Sequence, residues 1–283
     1  MIELFHISDL HICQSRANDI RVCNLLDILE FKYFLSEAEN RYLLITGDIV
    51  QHGTIKQYKS ALTRLRRFKG KLLLIPGNHE YGFQGTGYTE KAAMHFDEEF
   101  HRELVGNFEF RNKLPLVKEI KDDSGNSILF IGLNSCRLTK SILDFATGEI
   151  GEQQLNELNK ILIKYQDKKF YKLVALHHVP HRTGRPGPIM TLIDRGAFMD
   201  IVKDRIDVLA FGHEGKDLID PNNGELPFTG NISQQVRPMK VMSANHFGIK
   251  YYLDANNSVN NRSCYRIEVN NQNIFTRLVK LQD

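Results

Sequence analysis

Short apolar runs, each stopping abruptly at a polar cluster, set the rhythm of this chain. Ile2 to Ile7 leads into Ser8-Asp9-Leu10-His11, Tyr42 to Thr46 into Gly47-Asp48, and Lys71 to Ile75 into Pro76-Gly77-Asn78-His79-Glu80. Further on, Lys172 to Leu176 meets His177-His178, and Asp207 to Phe211 meets Gly212-His213. Runs of this length, rich in Leu, Ile, Val and Phe, predict strands buried on both faces. Between them the spacing turns helical, over Ile55 to Phe68 and over Glu152 to Tyr165, where Leu155, Leu158, Leu162 and Tyr165 mark one face. Strands alternating with helices predict an α/β fold with largely parallel central strands.

After about residue 215 the pattern changes to strands alone: Leu226 to Thr229, Val241 to Ser243, Phe247 to Leu253, Cys264 to Val269 and Ile274 to Leu281. Asparagine-rich turns separate them, since Asn tolerates left-handed backbone, and Val269 to Ile274 reads as the tip of a final hairpin. Residues 81–111 begin as a glycine-containing loop and turn helical around Lys91 to Leu104, predicting a cap or rim. With no repeat and no linker, residues 1–283 read as a single domain whose C-terminal strands, 216–283, complete a second sheet.

Composition narrows the class. At 283 residues with 42% hydrophobic content the chain can build its own core without disulfides. Four scattered cysteines with no CxxC pair read as reduced thiols. The absence of a signal-like N-terminus or a membrane-length apolar run adds to the expectation of a cytoplasmic protein with no membrane partner. A formal net charge of +3 argues against bulk electrostatic capture of nucleic acid.

The polar clusters hold the chemistry. In open α/β sheets the carboxyl ends of neighbouring strands meet at one crevice. Asp9, His11, Asp48, Asn78, His79, His177 and His213 would gather there from five separate segments. Carboxylate, imidazole and amide oxygen together suit Mn, Fe or Zn better than Mg or Ca. Two such metals about 3.5–4 Å apart can clamp the attacking and leaving oxygens of a phosphoryl group.

Asp9-Leu10-His11, Gly47-Asp48, Gly77-Asn78-His79-Glu80, His177 and Gly212-His213 resemble, in order, the signature of the calcineurin-like metallophosphoesterases, over roughly residues 1–215. The stretch from Gly47 to Glu80 looks most like the branch containing cyclic-nucleotide phosphodiesterases. The resemblance implies a four-layer α/β/β/α sandwich with two central mixed sheets. It implies two divalent metal ions, with Asp9 and His11 on the first, Asp48 bridging, and Asn78, His177 and His213 on the second. His79 would assist the leaving group while metal-bound hydroxide attacks phosphorus, and His178 would point elsewhere, supporting the site from behind. The expected partner is a small, nucleotide-like phosphorylated substrate.

One position departs from that signature. The family's last motif reads Gly-His-any-His, and its final histidine serves the first metal; here the segment is Gly212-His213-Glu214-Gly215. Water or another residue (Glu214, Asp217, His246) could complete the shell, the first metal could be weakly held, or Gly215 could mark an inactive, ligand-binding form. A nuclease acting on single strands is a further alternative, favoured if a continuous basic groove flanks the metals. Substrate contacts could come from His181, Arg182 and Arg185 in the loop after His177, or these could be solvated charges. Arg16 and Arg21 are weaker candidates of the same kind, and His52 either lines the pocket or caps the next helix. The basic run Arg64, Arg66, Arg67, Lys69 and Lys71 falls at a helix C-terminus and reads as a solvated face. His95 and His101 read as surface or packing residues.

Overall fold

The structure, a computed structural model, describes residues 1–35, 40–83, 85, 87–106, 114–137, 147–180, 192–213, 240–243, 263–270 and 273–280. Along the chain run β1 (Ile2–Ile7), α1 (Arg16–Leu29), β2 (Arg41–Thr46), α2 (Ile55–Leu65), β3 (Leu72–Ile75), α3 (Asn78–Tyr81) and the two-residue strands β4 (Gly82–Phe83) and β5 (Gly87–Tyr88). Then come α4 (Glu90–Met94), α5 (Arg102–Val105), β6 (Leu116–Lys121), β7 (Ser127–Gly132), α6 (Glu152–Lys164) and β8 (Tyr171–Ala175). Last are α7 (Arg195–Val202), β9 (Val208–Phe211), β10 (Lys240–Ser243), β11 (Ser263–Asn270) and β12 (Asn273–Lys280).

Two mixed five-stranded sheets carry the architecture, in the orders β12-β11-β1-β2-β3 and β10-β9-β8-β7-β6. In the first, β1, β2 and β3 are parallel while β11 and β12 run antiparallel; in the second, β7 to β10 are parallel and β6 is antiparallel. Alternation along the second sheet assigns its faces. Ile128, Phe130, Leu173, Ala175, Val208 and Ala210 join the core that holds the first sheet, α1 and α2. Leu129, Ile131, Val174, Leu176, Leu209 and Phe211 instead pack against Leu155, Leu158 and Leu162 of α6 and Phe198 of α7. Helices thus cover the second sheet on one side while the first sheet covers it on the other, an α/β/β/α arrangement.

One expectation is corrected. The C-terminal strands do not all complete the second sheet: β10 extends it through β9, but β11 and β12 attach to β1 in the first. The helical part of 81–111 is anchored from within, with Phe96 and Phe100 buried in the core against Tyr58 of α2. Between α4 and α5 the helix widens into π turns over His95–His101, and Phe96, Asp97, Phe100 and His101 all turn inward. The expected strands at 226–229 and 247–253 lie outside the described residues. No helix among the described residues is long and apolar enough to cross a membrane.

Surface charge is largely self-compensated. Arg64 pairs with Asp19, Arg66 with Glu103, Arg67 with Asp27 and Glu30, and Lys69 with Glu103. A buried exception is Glu3 on β1, which pairs with Arg41 across β2 and Arg266 across β11 and so staples three strands together.

Phe130 is completely buried where the two sheets meet, whereas Ile163 on α6 is 57% exposed. Phe130→Ala is expected to cost about 3–5 kcal/mol and Ile163→Ala less than about 0.5 kcal/mol, as read by urea unfolding of each variant.

Candidate metal centre

The loops after β1 and β2 stay zipped beyond the strands. The N–H groups of Asp9, His11 and Ile12 donate to the carbonyls of Gly47, Asp48 and Ile49 at 2.9–3.0 Å. That pairing carries Asp9 and His11 alongside Asp48. Opposite, the Gly212 N–H donates to the His177 carbonyl (3.1 Å), joining the loops after β8 and β9. The sheets are then linked at the site itself, since the His213 N–H donates to Asp9 Oδ2 (3.1 Å) and the His177 Nδ1 lies 2.7 Å from the Thr46 carbonyl.

The backbone marks the same residues. Six described non-glycine residues have left-handed φ, and four of them are predicted ligands: Asp9 (56°), His11 (44°), Asp48 (52°) and His213 (69°). Such backbone costs a side-chain-bearing residue about 1–2 kcal/mol and collects at functional sites. Two glycines let the loops close in. A Cβ on Gly77 would lie 2.2 Å from Asp48 Oδ1, and one on Gly212 would lie 2.0 Å from Ser8 Oγ.

Asp48 is the hub. Its Oδ1 accepts from the His79 N–H (3.0 Å), while His177 Nε2 (3.4 Å), His11 Nε2 (3.7 Å) and His79 Nε2 (3.9 Å) surround Oδ2. His177 Nε2 also lies 3.1 Å from Asn78 Oδ1 and 2.9 Å from His213 Nδ1. The Thr46 carbonyl fixes the proton of His177 on Nδ1 and turns Nε2 toward this group. Asn78 is oriented likewise: its Nδ2 donates to the Gly85 carbonyl (3.1 Å), which leaves Oδ1 facing inward. Asp9 Oδ1 is 3.9 Å from His11 Nε2.

These groups strongly perturb one another. Burial opposes charge on Asp48, but His177, His79 and His11 outweigh it and hold the carboxyl well below its ordinary range. Burial likewise opposes charge on His177, yet Asp48 raises it to about 9. His213, with the already charged His177 beside it, is pushed by burial down to about 3.

Two overlapping triads, His11-Asp48-His79 and Asp48-His177-His213, each bring donor atoms within 4.8 Å of one another. Buried carboxylates and imidazoles sharing one aspartate, with His213 Nε2 buried and unbonded, fit divalent cations. Asp9, His11, Asp48, Asn78, His79, His177 and His213 therefore come together. His178 packs directly behind them, its ring 4.6 Å from that of His213 and its Nδ1 2.8 Å from Ser135 Oγ. Thr54, rather than His52, caps α2; the His52 ring stacks on Phe83 (4.6 Å, 14°) and lines a cavity of about 480 Å³ with Lys56, Lys91 and His95. Arg16 lines a separate groove with Lys56 and Arg64. His181, Arg182, Arg185, Glu214, Gly215, Asp217 and His246 lie outside the described residues. Sequence reading gave Glu80 and Ser135 no role, although both hold the site's loops; the cue for Glu80 was its place at the end of the Gly77-Asn78-His79-Glu80 motif.

With that geometry in view, comparison with known proteins gives the class. A family model described as calcineurin-like phosphoesterase matches residues 2–217. The chain belongs to this family of phosphoester hydrolases, whose members use divalent metal ions. Among curated proteins it is similar to the "Probable glycerophosphodiester phosphodiesterase GpdQ" of Arcobacter nitrofigilis, 32% identical over 142 residues, covering 50% of this chain and 43% of that protein. It is also similar to the "Probable cyclic nucleotide phosphodiesterase" of Vesicomyosocius okutanii, 35% identical over 77 residues, covering 27% and 33% respectively. The chain thus matches less than half the length of these relatives. A solved dimetal phosphatase from Danio rerio shares the fold, with a TM-score of 0.63 at 12% identity over 100% of this chain and 97% of the other.

With metal removed by chelator, stability is expected to rise from about pH 3 to 6.5, because burial holds His6 and His213 near 3 while the unfolded chain binds protons from 6.5 downward. Above 6.5 the sign reverses, since His177 keeps its proton to about 9 in the folded state alone. Thermal midpoints in EDTA should therefore peak near neutrality; a midpoint still climbing at pH 9 would contradict the assignment.

Proposed function

We propose that this chain is a metal-dependent phosphodiesterase acting on a small, nucleotide-like phosphate diester. The observation that carries the reading is the gathering of six ligand-type side chains, Asp9, His11, Asn78, His79, His177 and His213, around the buried carboxylate of Asp48, from strand ends of both sheets. Asp9, His11 and Asp48 would hold one cation, and Asp48, Asn78, His177 and His213 a second, with Mn, Fe or Zn suited to the mixed donors. Such cations supply Lewis acidity toward the phosphoryl oxygens and acidify water near them.

The protein's own groups supply orientation and proton transfer. His79 Nδ1 lies 2.8 Å from the Gln51 carbonyl, which aligns the ring and leaves Nε2 toward the site. That nitrogen would protonate the leaving alcohol, a role worth about 10²–10⁴ in rate. Two relatives named as phosphodiesterases support diester cleavage. Pairing of the basic run by Asp19, Asp27, Glu30 and Glu103 weighs against nucleic acid as substrate.

A second reading rests on Gly215, where the family's histidine is missing: the chain holds metal and a phosphorylated ligand but turns over poorly. Hydrolysis of bis-p-nitrophenyl phosphate across a manganese titration separates the two. Turnover is expected in this chain, saturating at higher manganese than in Gly215→His. Turnover only in Gly215→His would establish the second reading, and inertness of both toward monoesters as well as diesters would overturn the enzyme assignment. His79→Ala should lower kcat about 10²–10⁴-fold while leaving the manganese bound per chain unchanged.

A further inference from the structure

Glu80 is fully buried, and each of its carboxylate oxygens takes two backbone N–H groups. Oε2 accepts from Asp48 (2.7 Å) and Gly77 (2.7 Å), and Oε1 from Ile49 (2.8 Å) and Val50 (3.0 Å). A glutamate at the third position of a helix commonly reaches back to the N-cap N–H, and the Gly77 bond is that contact. The other three bonds do nothing for α3. They run to a different loop, where Asp48 sits at left-handed φ and three successive N–H groups fan onto one anion as a nest. The Glu80 backbone is itself anchored, because the Tyr58 hydroxyl of α2 donates to its carbonyl (2.9 Å).

We propose that Glu80 is a positioning residue that sets the span between the Asp48 loop and the Asn78-His79 loop, so that Asp48 and Asn78 reach one cation together. The inference rests on the reading of those two residues as ligands. Without this clamp, the one hydrogen bond described from the Asn78-His79 backbone to Asp48 is the His79 N–H on Oδ1. Burial and the neighbouring Asp48 push the Glu80 carboxyl up to about 8, and the backbone N–H donors act against that shift; four N–H groups divided between two oxygens are accepted best by the carboxylate. A glutamine of the same size would aim an NH₂ group at two N–H donors.

The test is a manganese titration of the full chain and of Glu80→Gln, followed by electron paramagnetic resonance. The unaltered chain should give the signal of an exchange-coupled manganese pair. Glu80→Gln should bind the second ion about 10–100-fold more weakly and give the uncoupled single-ion spectrum, with cooperative metal-free melting retained. An unchanged coupled signal and unchanged affinities in Glu80→Gln would overturn the proposal. Should Glu80→Gln fail to fold, Glu80→Asp keeps the charge but shortens the reach, and the same weakening is expected. If the unaltered chain binds no manganese, the metal reading fails on its own, and amide hydrogen exchange decides the role of Glu80. Faster exchange confined to Asp48, Ile49, Val50 and Gly77 in the variant supports the clamp, and unchanged exchange there refutes it.

Discussion

A carboxylate taken out of water must find compensating charge or hydrogen bonds, and Asp48 is the buried anion around which this molecule is arranged. Three imidazoles lie within 4 Å of one of its oxygens, and a backbone N–H holds the other. Those partners come from the ends of β1, β3 and β8, and no single stretch of chain could supply them. Packing two parallel strand sets face to face, with their carboxyl ends at one level, satisfies that demand. The apolar core is what keeps the ends level.

The loops carry a cost for this. Side chains at Asp9, His11, Asp48 and His213 sit on left-handed backbone that an ordinary turn would assign to glycine. They persist because hydrogen bonds between loops over-determine them: Asp9 to Gly47, His11 to Asp48, His213 to Asp9, and Asp48 to Glu80. The site is thus a network of backbone contacts first and a set of side chains second.

Most of this was legible in the sequence where the signal is local. A strand buried on both faces must read as an apolar run, and a residue at its end must break that run, so Asp9, Asp48, Asn78, His177 and His213 stood out. The final hairpin was equally readable, with Asn270 and Asn273 paired at its turn. What escaped was non-local or ambiguous. Nothing within residues 263–270 records that their partner is β1, so the division of the C-terminal strands between sheets could not be read. Glu80 follows Asn78 and His79 in a helix start, where a glutamate is normally a solvent-facing cap. Ser135 escaped as well: it lies 43 positions from His178, whose ring it holds behind the ligands beside His213.

The position of β1 bears on how the chain is made. This strand, buried at every residue, lies between β2 and β11, so one of its two edges waits for a partner about 260 positions downstream. On the ribosome, β1, β2 and β3 can assemble early, but their sheet ends in an open apolar edge until β11 emerges. Open edges of that kind are templates for unwanted pairing between nascent chains. Closure of so long a loop also makes late folding slow. The carbonyl ends that carry Asp9, Asp48 and Asn78 belong to strands that are all made before β11, so the nascent chain holds its site-forming strands together while the other edge of β1 is still open.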